Sequence, residues 1–253
     1  GLQRTASHKG IIRTDTGDLL GLHGTGYQDV KIQDIEYILE TLSDKMTISN
    51  VLTMNKGARL YVTATVDENE VTTGDTIRRQ LHLYNSHDGS TALGCFFSDR
   101  RMICMNELGI FTGSTASAAI SQGQGLKMRH TRNVRNFAHS LVKRIDIENQ
   151  RFEQSIQDYK LMANTAFKQG DAEKILLKVY GDKINDKTRT YQDLKEYSPI
   201  QRLVNTGTGV ELCKGATMWR FYNALTEYET HFSGTAKKNK NEIKLNSLYH
   251  GVT

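Results

Sequence analysis

The chain has 253 residues, 38% hydrophobic and 24% charged, which excludes wholesale disorder and allows one large domain or two small ones. Its 33 Lys and Arg against 28 Asp and Glu leave a formal charge of +5 and a pI near 9.0, a mild excess that matters only where it is concentrated. Three cysteines (Cys95, Cys104, Cys213) with no CxxC spacing exclude a disulfide framework or a zinc ribbon and point to a reducing compartment.

Taken in chain order, residues 10 to 32 read as two short strands around the Asp/Gly-rich turn Asp15-Thr16-Gly17-Asp18. Ile32 to Leu42 carries apolar residues at Ile35, Ile38, Leu39 and Leu42, a helical spacing. Between residues 46 and 106 the period drops to two. Arg59 to Val66 alternates Leu60, Val62, Ala64 and Val66 against polar neighbours, and Thr76 to Tyr84 alternates Ile77, Arg79, Leu81 and Leu83. The turn formers of residues 85 to 90 lead into a strand over Thr91 to Phe97, and Arg100 to Met105 supplies a further short apolar run. This predicts a meander of antiparallel strands. From Leu126 onward helices are expected. Thr131 is placed as the cap of a long helix with Val134, Phe137, Leu141, Ile145, Phe152, Ile156 and Tyr159 on one stripe, for core packing or for subunit contacts. Asp171 to Tyr180 ends at Gly181, Ser198-Pro199 starts another helix, and Gly215 to Phe232 forms the last. Residues 236 to 244 are a charged tail segment. The fold class is α+β: an antiparallel sheet of hairpins packed against helices, with a mostly helical C-terminal half. The expected division is a mainly β region over 1–125 and a helical region over 126–253, joined as one compact domain. No run approaches the roughly 18 to 20 apolar residues of a membrane span, and residues 1 to 10 hold no apolar signal segment.

The charge is concentrated in the middle. Residues 108 to 145 contain no Asp or Glu but carry Lys127, Arg129, Arg132, Arg135, Lys143 and Arg144. Arg129, Arg132, Asn136, His139 and Lys143 follow helical spacing opposite the apolar stripe, while Arg78, Arg79, Arg100 and Arg101 sit on strands upstream. A stripe of this kind attracts polyanions and releases counterions when phosphates bind; a solvated helix face that happens to be basic is the plainer alternative. The small-residue segment 113–125 beside it has the composition of a loop that orders on a nucleic-acid strand.

Catalytic signals are weak. Gly21, Gly24 and Gly26 do not match the dinucleotide fingerprint, and no GxxxxGK[ST] loop occurs. Gly207 and Gly209 suit a turn between helices. Asn223, Glu227 and His231 stand four apart on one helix, a metal or acid/base trio or a polar seam. His87 and Asp88 are a metal or base candidate, or turn chemistry. Cys104 is expected to be a small core residue.

Six segments together resemble a known family: RTDTGDLLG (13–21), GARLY (57–61), LYNSHDGS (83–90), RMICMNEL (101–108), RHT (129–131) and WRFYNALTE (219–227). They are similar to the phage/plasmid-like proteins of prophages, phages and plasmids, from about residue 10 to the C-terminus. That resemblance implies a mobile-element setting in the cytoplasm of a bacterial host. By architecture the chain also looks like the phage single-strand annealing proteins, which pack hairpins against helices, assemble as rings or filaments and need no ATP, metal or nucleophile.

The reading that follows is a protein that is not an enzyme and takes no cofactor. It would bind single-stranded DNA and anneal complementary strands, as a homo-oligomer and away from membranes. Arg78, Arg79, Arg100, Arg101, Lys127, Arg129, Arg132, Arg135, Lys143 and Arg144 would hold the phosphates, and Tyr27, Tyr61 or Tyr84 would stack on bases or be buried. The alternatives are a counter-defence or regulatory protein that binds a host protein, and a metal-dependent nuclease using His87, Asp88, Glu227 and His231.

Overall fold

The computed structural model describes residues 7–103, 125–130, 133–180 and 190–231. They form an α+β fold with two antiparallel sheets and, among the described residues, five α-helices. The chain divides into two compact units. The first takes the described residues up to Glu68, Arg78–Arg100 and 125 to Phe152; the second takes Asn69–Ile77, 101–103 and the described residues from Glu153 onward. The division falls inside long strands and inside one helix.

In the first unit, β1 (His8–Ile12) and β2 (Leu19–Gly24) pair as a hairpin from His8↔Gly24 to Ile12↔Leu19. The expected turn closes it. Arg13 grips both oxygens of Asp15, at 2.7 and 2.9 Å, and Gly17 takes φ 76°, a conformation that costs glycine nothing. Helix α1 (Ile32–Thr41) begins where the Asp34 carboxylate accepts the Lys31 backbone N–H at 2.9 Å, and it buries Ile35 and Ile38.

The larger sheet runs β3 (Thr47–Met54), β4 (Arg59–Thr72), β5 (Asp75–Ser86), β6 (Leu93–Arg101) and β7 (Gly125–Met128), each strand beside the next. Alternation decides which side chains turn inward. Leu60, Val62 and Ala64, then Leu81 and Leu83, then Leu93, Cys95 and Phe97 join the α1 residues in one core. The long helix α2 (Val134–Asn164) completes it with Phe137, Ala138, Leu141 and Ile145, the first part of the stripe read from sequence.

Two strands differ from the sequence reading. Thr47–Met54 lacks clean alternation because a bulge between Ile48 and Asn50 shifts the register of an exposed edge strand. Leu126–Met128 pairs with the edge of β6 instead of starting a helix, with Gly94 opposite Lys127. Thr131 lies outside the described residues; Asn133 caps α2, its Oδ1 accepting the Arg135 N–H at 2.9 Å.

The second unit holds the far end of the β4–β5 hairpin, the rest of α2, and α3 (Gln169–Tyr180), α4 (Tyr197–Thr206) and α5 (Met218–His231). Leu176, Tyr180, Ile200, Leu203, Phe221 and Leu225 share its core. Helix α4 begins two residues earlier than expected. Pro199 therefore stands at the third position, where a missing N–H is still harmless because first-turn amides have no helical acceptor. Gly209, at φ 75°, makes the expected turn before α5. No helix among the described residues is long and apolar enough to cross a membrane.

Candidate nucleic-acid interface

Eight of the ten cations picked out in the sequence separate into two groups, and the carboxylates of the fold make the division. Arg79 is buried in the first unit. Its guanidinium makes a paired contact with Asp99 at 2.7 and 2.9 Å, reaches Glu148 at 3.2 Å, and lies 5.1 Å over the Phe152 ring. Arg144 meets the same Glu148 at 2.7 Å. Arg78 is held by Glu68 at 2.6 Å. In the second unit Arg101 forks onto the fully buried Asp75 at 2.6 and 2.7 Å and donates further to the carbonyls of Thr208 and Gly209. A guanidinium taken out of water needs such a partner. Arg79 and Arg101 are thus committed inside the protein, and Arg144 and the surface residue Arg78 are paired; Arg144 shows that a window free of Asp and Glu in sequence is not free of them in space. Arg100 is half-buried near His82 and lowers the proton affinity of that ring. Arg132 lies outside the described residues.

Lys127, Arg129, Arg135 and Lys143 form the other group. All four are exposed in the first unit, and none makes an ion pair among the described residues. The strand alternation of β7 aims Met128 inward and Lys127 outward, and Arg129 follows at the exit. On α2, Arg135, His139 and Lys143 recur every fourth residue on the side away from Phe137, Leu141 and Ile145. A four-residue step advances about 6 Å along a helix, so these three span about 12 Å. Tyr37 of α1 joins them, its ring 5.8 Å beneath the Arg135 guanidinium. Sequence reading passed over Tyr37 because it sits between the apolar positions of an ordinary amphipathic helix. Only the approach of α2 gives it meaning.

The tyrosines named from sequence fall on the buried side of the two readings given for them. Tyr84 is buried against Gly94, where an added Cβ would collide with its ring, and Tyr61 is half-buried on β4. Tyr27 donates to the Ser86 carbonyl at 3.1 Å, so its remaining lone pair accepts from His130 Nδ1. His130 then carries its proton on Nδ1 and leaves Nε2 as a buried acceptor, and burial lowers its pKa, as it raises that of Tyr27.

Around this pair the first unit assembles a polar cluster. His23 stacks on Tyr27 with ring centroids 3.9 Å apart and donates from Nε2 to the His87 carbonyl at 2.7 Å. His87 donates from Nδ1 to Asp29, also at 2.7 Å. Asp88 accepts from Arg59 at 3.0 Å and from the Ser90 amide at 2.8 Å, and Asn85 donates to the Val30 carbonyl at 3.2 Å. Segments 13–21, 57–61, 83–90 and 129–131 all supply residues here or beside it. The arrangement fastens the β1–β2 hairpin and the entry to α1 onto the end of β5.

The trio on α5 is likewise occupied. Glu227 accepts from the Thr208 N–H at 2.9 Å and its hydroxyl at 3.0 Å, which fixes the turn before α5, and Asn223 bonds the Trp219 carbonyl at 2.8 Å. Among the described residues no three His, Cys, Asp or Glu side chains are gathered to hold a metal ion. Cys95 and Cys213 are free and buried, and Cys104 lies outside the described residues.

The model of one family, described as a domain of unknown function (DUF932), matches residues 19–249. The chain belongs to this family. No curated protein and no solved structure matches it. The DUF932 match begins at Leu19, so it takes in β2, the polar cluster and the exposed cations but leaves β1 outside.

Proposed function

We propose that this DUF932 chain binds single-stranded DNA and promotes the pairing of complementary strands, without nucleotide hydrolysis, in a phage, prophage or plasmid setting. One observation carries the reading: Lys127, Arg129, Arg135 and Lys143 stand exposed, without acidic partners among the described residues, on a strand and a helix that share one core. Cations placed this way contact phosphates through the backbone and leave base edges available for a second strand. Self-association is part of the proposal. It is supported by Ile12, Leu19 and Leu22 exposed on the β1–β2 hairpin and by Ile48, Val51 and Met54 on the uncharged edge strand β3.

The test is fluorescence anisotropy with a labelled single-stranded oligonucleotide across a salt series, with mass measured by light scattering in parallel. Each phosphate contact to a single strand contributes about 0.7 to the slope of log affinity against log salt, so four cations give a slope of about −3. Replacing Lys127, Arg129 and Arg135 together with Ala should bring the slope to about −1. No binding at low salt, or an unchanged slope in the triple variant, would refute the assignment.

A further inference from the structure

We infer that Tyr37 is a base-stacking element beside the outer side of α2 that carries Arg135 and Lys143, and makes that side a site for an unpaired strand; the inference rests on the nucleic-acid reading above. Tyr37 projects from α1 beside α2, half-exposed, with its inner edge against the core and its ring under Arg135. Its hydroxyl has no hydrogen-bond partner among the described residues, so none of them fixes that end of the side chain.

The other aromatic groups of this region are engaged: Phe137 and Tyr84 are buried, and Tyr27 is held by Ser86 and His130. Exposed cations give affinity for any phosphodiester chain, duplex or single. An aromatic face next to them adds something a duplex cannot use, because paired bases hide their flat surfaces in the stack. Arg135 has two roles in this geometry. Its charge meets a phosphate, and its cation lies 5.8 Å over the ring, so a nucleobase that stacks on Tyr37 takes the place of the guanidinium. Tyr37 would then set strand type, while Lys127, Arg129, Arg135 and Lys143 set salt dependence.

The experiment measures binding of a single-stranded oligonucleotide, the same sequence as a duplex, and the same strand with abasic sites, each across a salt series. Wild type, Tyr37→Leu and Tyr37→Phe are compared, with thermal melting followed by circular dichroism as the folding control. Stacking on one aromatic group corresponds to roughly a 5- to 150-fold effect on affinity. Tyr37→Leu should lose that much for the single strand, with duplex affinity and salt slope unchanged, and Tyr37→Phe should bind as wild type. On the abasic strand wild type and Tyr37→Leu should become equal. The inference is overturned if Tyr37→Leu binds the single strand as well as wild type, or if it weakens single strand and duplex alike. Absence of binding by wild type itself would remove the parent reading, an outcome distinct from either.

Discussion

Acidification should weaken this protein through one imidazole in the sheet. His82 lies on the face of β5 turned away from the α1–α2 core, stacked on Phe96 at 4.7 Å and hydrogen-bonded to Ser98 at 2.9 Å. Burial, aided by the Arg100 charge, pushes its pKa down to about 3, against about 6.5 in an unfolded chain. Between those values the unfolded state binds a proton that the folded state refuses. Stability is therefore complete above pH 6.5 and declines as pH falls from there towards 3. With these two values the loss is about 2 kcal/mol at pH 5 and about 3 kcal/mol at pH 4. Against a typical total of about 5–15 kcal/mol this is large. Urea unfolding followed by far-ultraviolet circular dichroism at pH 7 and pH 5 measures it, a window in which most carboxylates stay ionised. His82→Gln cannot titrate and should lose about 2 kcal/mol less than wild type over the same interval. Equal losses in the two proteins would refute the reasoning, because the proton would then be taken up elsewhere.

Two further perturbations probe the framework. Arg79→Ala removes the paired contact to Asp99, while Glu148 keeps Arg144 and Arg151, and should cost about 2–3 kcal/mol in urea unfolding, while the folded protein keeps the wild-type salt slope for DNA. Gly21→Ala places a methyl group 2.5 Å from the His87 carbonyl and 3.0 Å from the Asp88 Cα, so the hairpin must shift off the polar cluster; a loss of about 1–3 kcal/mol, read as a lower melting temperature, is the expected result.

The parts of the fold that were legible in the sequence are those where one residue pattern answers to one packing demand. Leu60, Val62 and Ala64 alternate because one face of β4 is covered, and Phe137, Leu141 and Ile145 recur at helical spacing because one side of α2 is covered. Segment 47–54 escaped notice for the complementary reason: an edge strand with a bulge has no consistently buried face, so its apolar residues Ile48, Val51 and Met54 fall at steps of three and lack the period of two that marks a covered strand. Leu126–Met128 is too short to show one, and it runs directly into a strong helical pattern. Position Pro199 misplaced a helix start by two residues because proline is tolerated through the first turn, not only at its first position.

The candidate site was legible only in half, and charge explains why. Whether an arginine is available depends on carboxylates that the chain brings from far away, and sequence separation does not record this. Asp75 reaches Arg101 from 26 residues upstream, and Glu148 reaches Arg79 from 69 residues downstream. A guanidinium enters the interior only in such company, so the same Arg-rich composition yields both internal struts and surface contacts. Lys127 and Arg129 stay outside at β7, and Arg135 and Lys143 stay outside on α2, on elements that Met128, Phe137 and Leu141 anchor in one core. Subtracting the arginines tied to Asp99, Asp75, Glu68 and Glu148 therefore sharpens the nucleic-acid reading. It replaces a diffuse basic middle with four named side chains and one tyrosine, whose separate contributions to salt dependence and strand preference can be measured.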